Sequence, residues 1–172
     1  MSIARILFPL VALLVFSLQP LAAQNQRDIE AVNQLLDRYT ELEESMDMMA
    51  QAQLMSPDRV WLGAGTGRVT DQAKNMEIQA AQFENDRTAM QGLSWFVDDR
   101  DRLVKFYGGG RVAVASFYRY MTYIIPAGVP PVMAEPLAAT QPMAITLVLE
   151  KSEGEWKIVH THVSDLAPAP GG

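Results

Sequence analysis

The spacing of apolar residues changes period once along this chain, near residue 95, and that change limits the fold more than any other feature. Upstream, Ile29, Val32, Leu35, Leu36, Tyr39, Leu42, Met46, Met49 and Leu54 recur at steps of three and four, which places them on one stripe of a helix. The pattern predicts a helix over residues 25–55, closed by Pro57 and bent near residues 44–47, where Ser45 or Asp47 can cap a second piece. Met46, Met48, Met49 and Met55 invite a binding-surface reading, but methionine is the usual filler of irregular core gaps, and core is the expectation. A short β-prone stretch follows at 59–62. Thr70 as N-cap and Asp71 then open a second helix with the stripe Ala73, Met76, Ala80, Phe83 and Met90, stopped by Gly92. Arg87 falls on that stripe.

From Trp95 the period becomes two. Residues 103–107, a turn at Gly108, Gly109 and Gly110, and residues 111–125 read as a hairpin with one long strand. Residues 143–151 and 155–163 form a second hairpin across Ser152, Glu153 and Gly154. Between them, prolines at 126, 130, 131, 136 and 142 predict a long loop, because proline cannot donate to a sheet ladder. Asp98, Asp99 and Asp101 stand among arginines and read as a solvated turn. The glycines at 63, 65 and 67 have neither the spacing nor the Lys-Ser/Thr ending of a phosphate loop and read as a plain turn. Helices followed by long antiparallel strands make an α+β domain with the helices on one face of the sheet.

The first 23 residues have a different character. Arg5 precedes the apolar run 6–18, and Pro20, Ala22 and Ala23 follow, the layout of a secretory signal peptide cleaved after Ala23. Thirteen apolar residues are too few for a helix crossing a bilayer core, which needs about 20. The expectation is a cleaved signal at 1–23, one domain at 24–167, a disordered tail at 168–172, and a periplasmic or secreted protein with no membrane attachment after cleavage. The chain of 172 residues has no cysteine and a formal net charge of -6. That excludes disulfides, thiolate metal sites and a cysteine nucleophile, and argues against nucleic acid as a partner.

The segment 156–164, Trp-Lys-Ile-Val-His-Thr-His-Val-Ser, resembles the closing motif of SnoaL-like members of the nuclear transport factor 2-like superfamily, in which a Gly-x-Trp turn leads into a final strand ending His-x-His-x-Ser. Residues 56–61 are similar to the family's first strand, and residues 112–115 resemble its central strand. The likeness runs over roughly residues 27–166 in order of elements, with the last nine residues the specific part. The resemblance implies a cone-shaped nuclear transport factor 2-like fold, with N-terminal helices packed in a strongly curved antiparallel sheet, an open end leading to a pocket, and dimers formed through the outer sheet face. The family includes isomerases, cyclases, dehydratases and hydrolases as well as noncatalytic binding domains. The tyrosine and aspartate set of its steroid isomerase branch has no counterpart placed in this sequence.

Strict alternation along the last strand puts Trp156, Ile158, His160, His162 and Ser164 on one face and Lys157, Val159, Thr161 and Val163 on the other. With Trp156 turned inward, the two histidines line a pocket, and Val159, Thr161 and Val163 face a dimer partner. His160 and His162 are the only histidines. They read either as an acid/base or ligand-contacting pair or as hydrogen-bonded shapers of the sheet end. A metal site lacks a third ligand, and no cofactor is implied. Further candidates for ligand contact are Trp61, Tyr118, Tyr120 and Arg87, with Arg119 and Tyr123 considered beside them. Tyr118 and Tyr120 share a strand face that Arg119 does not. The leading expectation is an exported domain binding a small apolar molecule. The alternatives are an isomerase, dehydratase or hydrolase using His160 or His162 as general base, and a dimeric interaction module without a ligand.

Overall fold

The computed structural model describes residues 26–63, 67–138 and 141–166. The expected signal peptide and C-terminal tail lie outside these residues. Helix α1, residues 26–44, buries Val32, Leu36, Tyr39 and Leu42 from the stripe read in the sequence. It ends where Met46 takes a left-handed φ of 59°. The Asp47 carboxylate then accepts from the Ala50 amide at 2.9 Å, capping the short helix α2 (Met48–Ala52). Strands β1 (Met55–Gly63) and β2 (Gly67–Val69) follow, then α3 (Gln72–Ala89). The α3 cap is Asp71, one residue beyond the expected Thr70; its carboxylate accepts from the Lys74 amide at 2.9 Å. The remaining strands are β3 (Ser94–Tyr107), β4 (Val112–Ile124), β5 (Gln141–Ser152) and β6 (Glu155–Asp165).

The six strands form one curved sheet in the order β2-β1-β6-β5-β4-β3. All pairings are antiparallel except β1 with β6, which run parallel. Ala113 and Ala115 lie opposite Leu149 and Leu147 across β4 and β5. The small residues beside large ones give Val32, Leu36 and Met76 of the helices room to reach the sheet, and all seven are at most 1% exposed. Each large aliphatic buried in this way contributes about 1.5–3 kcal/mol.

Three expectations are corrected. First, β3 starts at Ser94, well before residue 103, because Asp101 in the left-handed region (φ 54°) forms a bulge between Arg100 and Leu103 and lets one strand pass through the charged stretch. Asp99 is therefore inside the domain instead of on a solvated turn. Second, residues 126–142 are not one irregular loop: Pro131 opens helix α4 (Pro131–Ala134), a 3-10 turn (Glu135–Leu137) follows, and β5 begins at Gln141. Third, the register of β6 slips between Ile158, opposite Leu149, and His160, opposite Val148. The extra residue, Val159, is a bulge that exchanges the faces of everything after it.

Candidate functional site

Past the bulge, Thr161 pairs with Leu147 and Val163 with Ile145, so these side chains join the core face and Thr161 is 0% exposed. The parallel register then sets Trp61 beside Thr161 and Gly63 beside Val163. Alternation along β1 turns Arg59, Trp61 and Gly63 to the same concave face. Gly63 has to be glycine there: a Cβ would sit 2.2 Å from the Trp61 ring, which lies across it. On the facing helix, Gln72, Asn75 and Met76 are the buried residues of α3.

Arg59 is 2% exposed, and its donors are poorly served. One terminal nitrogen donates to Thr161 Oγ1 at 3.4 Å, the other to Met76 Sδ at 3.7 Å, and Nε has no acceptor. No carboxylate among the described residues forms an ion pair with it. Asn75 Nδ2 is a second buried donor without a partner. Such groups are uncommon in folded proteins, because each carries the cost of its lost hydration. Burial pushes the Arg59 guanidinium below its ordinary pKa, and Tyr39 and Glu43 offset this only in part.

Arg119, equally buried, provides the contrast. Its Nε and one terminal nitrogen each donate to Asp99 at 2.8 Å in a two-pronged pair. Thr40 donates to the same carboxylate at 2.6 Å, Glu43 stands 3.6 Å from the guanidinium, and the Tyr39 ring lies 5.0 Å from its carbon. Burial alone would lower the Arg119 pKa, but the Asp99 hydrogen bonds and the Glu43 charge outweigh it and hold it above the ordinary arginine value. Gln51 donates to Glu43 at 2.7 Å. The Asp99 and Glu43 carboxylates are thus engaged with Arg119 and Gln51. Tyr39 is buried beside them, and burial followed by the Glu43 charge pushes its pKa up to about 12. It is a neutral hydroxyl at any physiological pH.

A cleft of about 350 Å³ opens between α2, α3, β1 and the start of β6. Its walls are Met49, Ala52, Met55, Pro57, Ala73 and Met76, with Gln53, Gln72 and Lys157 as the polar contributors. None of these side chains is acidic. Met76, a flexible thioether, belongs both to this wall and to the contacts of Arg59. Met48 and Met55 are core, as the sequence suggests, whereas Met49 is half exposed at the cleft.

The structure does not bring the six candidate residues together. Trp61 is on the concave face with Arg59. His160 and His162, paired with Val148 and Thr146, stand on the outer face of the sheet, as do Tyr118 and Tyr120, opposite Ala144 and Pro142. Tyr120 lies under the Arg100 guanidinium at 4.8 Å. Arg87 is on the exposed side of α3, where it pairs with Glu84. Arg119 opposes the tyrosines in facing, as alternation requires, and points inward. Arg59 and Tyr39 were not among the candidates, although alternation from Trp61 and the α1 stripe point to both.

The chain matches the SnoaL-like domain model over residues 32–170. A comparison with curated proteins returns no match. Among solved structures, it is similar to an NTF2-like protein with a cystatin-like fold from Novosphingobium aromaticivorans, at 18% identity and a TM-score of 0.67 over 89% of this chain and 92% of the other. It is also similar to a provisionally assigned dehydratase of the NTF2-like family from Streptomyces avermitilis, at 16% identity and a TM-score of 0.64, covering 83% of this chain and 99% of that one. A provisionally assigned scytalone dehydratase from Novosphingobium aromaticivorans aligns at 13% identity and a TM-score of 0.62 over 85% and 89% of the two chains. These identities speak for a shared fold.

Proposed function

Because the chain belongs to the SnoaL-like domain family of the nuclear transport factor 2-like superfamily, we propose that it binds a small, mostly apolar molecule in the cleft between α2, α3 and β1, with Met76 yielding so that Arg59 becomes the polar contact. The observation that carries this reading is the buried Arg59 guanidinium with an unpaired Nε and no ion-pair partner. The apolar walls and few polar groups of the cleft agree with it, and its volume suits a small ligand.

Turnover has less support. A dehydratase, isomerase or hydrolase needs a free base against its substrate. Inside the domain the carboxylates of Asp99 and Glu43 are held by Arg119 and that of Asp28 by Lys151, while His160 and His162 lie on the opposite face.

The test of the binding reading is the melting temperature of the mature protein against a panel of small apolar molecules, with the intrinsic tryptophan emission followed in parallel. A bound ligand raises the melting temperature with concentration by linkage. A panel spanning acids, amides, alcohols and ketones that shifts neither signal up to millimolar concentration would refute the reading.

A specific observation also favours self-association through the outer face. Leu62, Phe96, Leu103 and Tyr118 are 38%, 61%, 52% and 42% exposed there, and Val60, Val114 and Val148 lie among them. We propose a homodimer across this face, where these exposed apolar side chains would be covered. His160 and His162 belong to it, and Val159 sits beside them. Thr161 and Val163, expected at the interface, are turned inward by the bulge. The proposed location is outside the cytoplasm after removal of residues 1–23, checked by whether protein recovered from an exporting cell begins at Gln24.

A further inference from the structure

Two observations, independent of each other, bear on what kind of molecule the cleft takes. The first is the comparison of the two buried arginines. Arg119 holds Asp99 by two bonds of 2.8 Å and has Glu43 close by. Arg59, 2% exposed, has a thioether and one long hydroxyl contact in place of a carboxylate. The same fold that pairs one guanidinium directly with a carboxylate leaves the other with no ion-pair contact, the Glu43 charge acting on it only from a distance. The second observation is the sign of the cleft. In a chain with a net charge of -6, the cleft wall carries no Asp or Glu and one cation, Lys157, whose ammonium donates to the Gln53 carbonyl at 2.8 Å at the rim and stands 3.8 Å from the exposed Glu155 carboxylate outside the cleft.

We infer that the ligand is a small organic acid: an apolar body lying against Met49, Met55 and Met76, and a carboxylate that passes the Met76 side chain to accept from the Nε and terminal nitrogen of Arg59. The class follows from donor geometry. Arg59 offers a planar fork, which a carboxylate meets with two parallel hydrogen bonds and an amide or alcohol meets with one. The neutral Tyr39 hydroxyl adds no negative charge there, and the one carboxylate whose charge reaches Arg59, Glu43, is already held by Arg119 and Gln51. Lys157 at the rim attracts the same sign of charge from a solvated position and therefore contributes less. This inference rests on the cleft-binding reading, and it adds the charge and identity of the ligand's polar end.

The experiment measures binding of matched pairs to the full-length mature protein by calorimetry: hexanoate against hexanamide, and 3-phenylpropanoate against 3-phenylpropanamide. The expected result is that each acid binds at least about tenfold more tightly than its amide, in line with the strength of a charge-assisted two-pronged contact. Arg59→Met should erase that preference, Arg59→Lys should keep part of it, and Lys157→Met should reduce it by about threefold or less. The comparison of acid with amide on the wild-type protein needs no variant to fold. Equal binding of acids and amides would overturn the organic-acid assignment while leaving the cleft a binding site. An acid preference that survives Arg59→Met would overturn the role of Arg59. Failure of all four compounds to bind at millimolar concentration overturns the assignment too; a neutral alcohol or ketone that still raises the melting temperature would then show that the cleft reading stands without it.

Discussion

At the scale of single residues, the domain spends stability on one arginine and recovers it on another. Arg119 is neutralised, bonded and stacked, so breaking its pair should be costly. Asp99→Asn leaves a buried guanidinium short of its carboxylate and is expected to lower stability by about 3 kcal/mol or more, read from urea denaturation. Arg59→Met should act in the opposite direction. It exchanges a buried charge with no ion-pair contact for an apolar side chain of similar length, and a gain of about 1–2 kcal/mol in the ligand-free protein is expected by the same measurement. A loss of stability of similar size would identify Arg59 as a structural strut. Tyr39 gives a pH prediction with a definite sign. Its folded pKa of about 12 exceeds the unfolded value near 10, so its contribution is complete below pH 10 and disappears as the pH rises from 10 to 12. Tyr39→Phe lacks that contribution. Over this interval the wild-type protein should therefore lose up to about 3 kcal/mol more stability than the variant, a comparison that cancels the other groups titrating there.

At the scale of elements, the helix stripes, the two hairpins, the long strand β4 and the break near residue 46 were legible, because each is written in local periodicity and turn chemistry. The facing of the final strand was not. Period-two reading assumes an unbroken ladder, and a single extra residue at Val159 reverses every later side chain. No residue type at 158–160 announces a bulge, since Ile, Val and His all suit a regular strand. The same holds for β3, where a cluster of charges resembles a turn and only the left-handed Asp101 shows how the strand continues through it. Two bulges thus decide that Thr161 and Asp99, and not His160 and His162, face the interior. The consequence is testable. His160→Ala/His162→Ala should leave hexanoate binding within about twofold of wild type, because neither side chain lies on the cleft side of the sheet. A loss of tenfold or more would mean that the outer face communicates with the cleft.

At the scale of the whole molecule, a sheet with a packed concave face and a convex face that exposes Leu62, Phe96, Leu103 and Tyr118 has two surfaces to account for. The proposal gives the first a ligand and the second another copy of the chain. Val148 lies opposite His160 on the convex face, so Val148→Lys should convert the proposed dimer to monomer in sedimentation velocity without lowering acid binding, because the substitution adds one charge per copy to the proposed contact. The order of elements, and with it the family, could be read from the sequence. The site could not, because it depends on which of two arginines the fold leaves without a carboxylate. The most direct test of that claim is native mass spectrometry of wild-type protein and Arg59→Met, each recovered from the cells that naturally make it. The account predicts that wild type carries an additional mass of a small organic acid and that Arg59→Met does not. The same adduct on both proteins, or none on either, would contradict it.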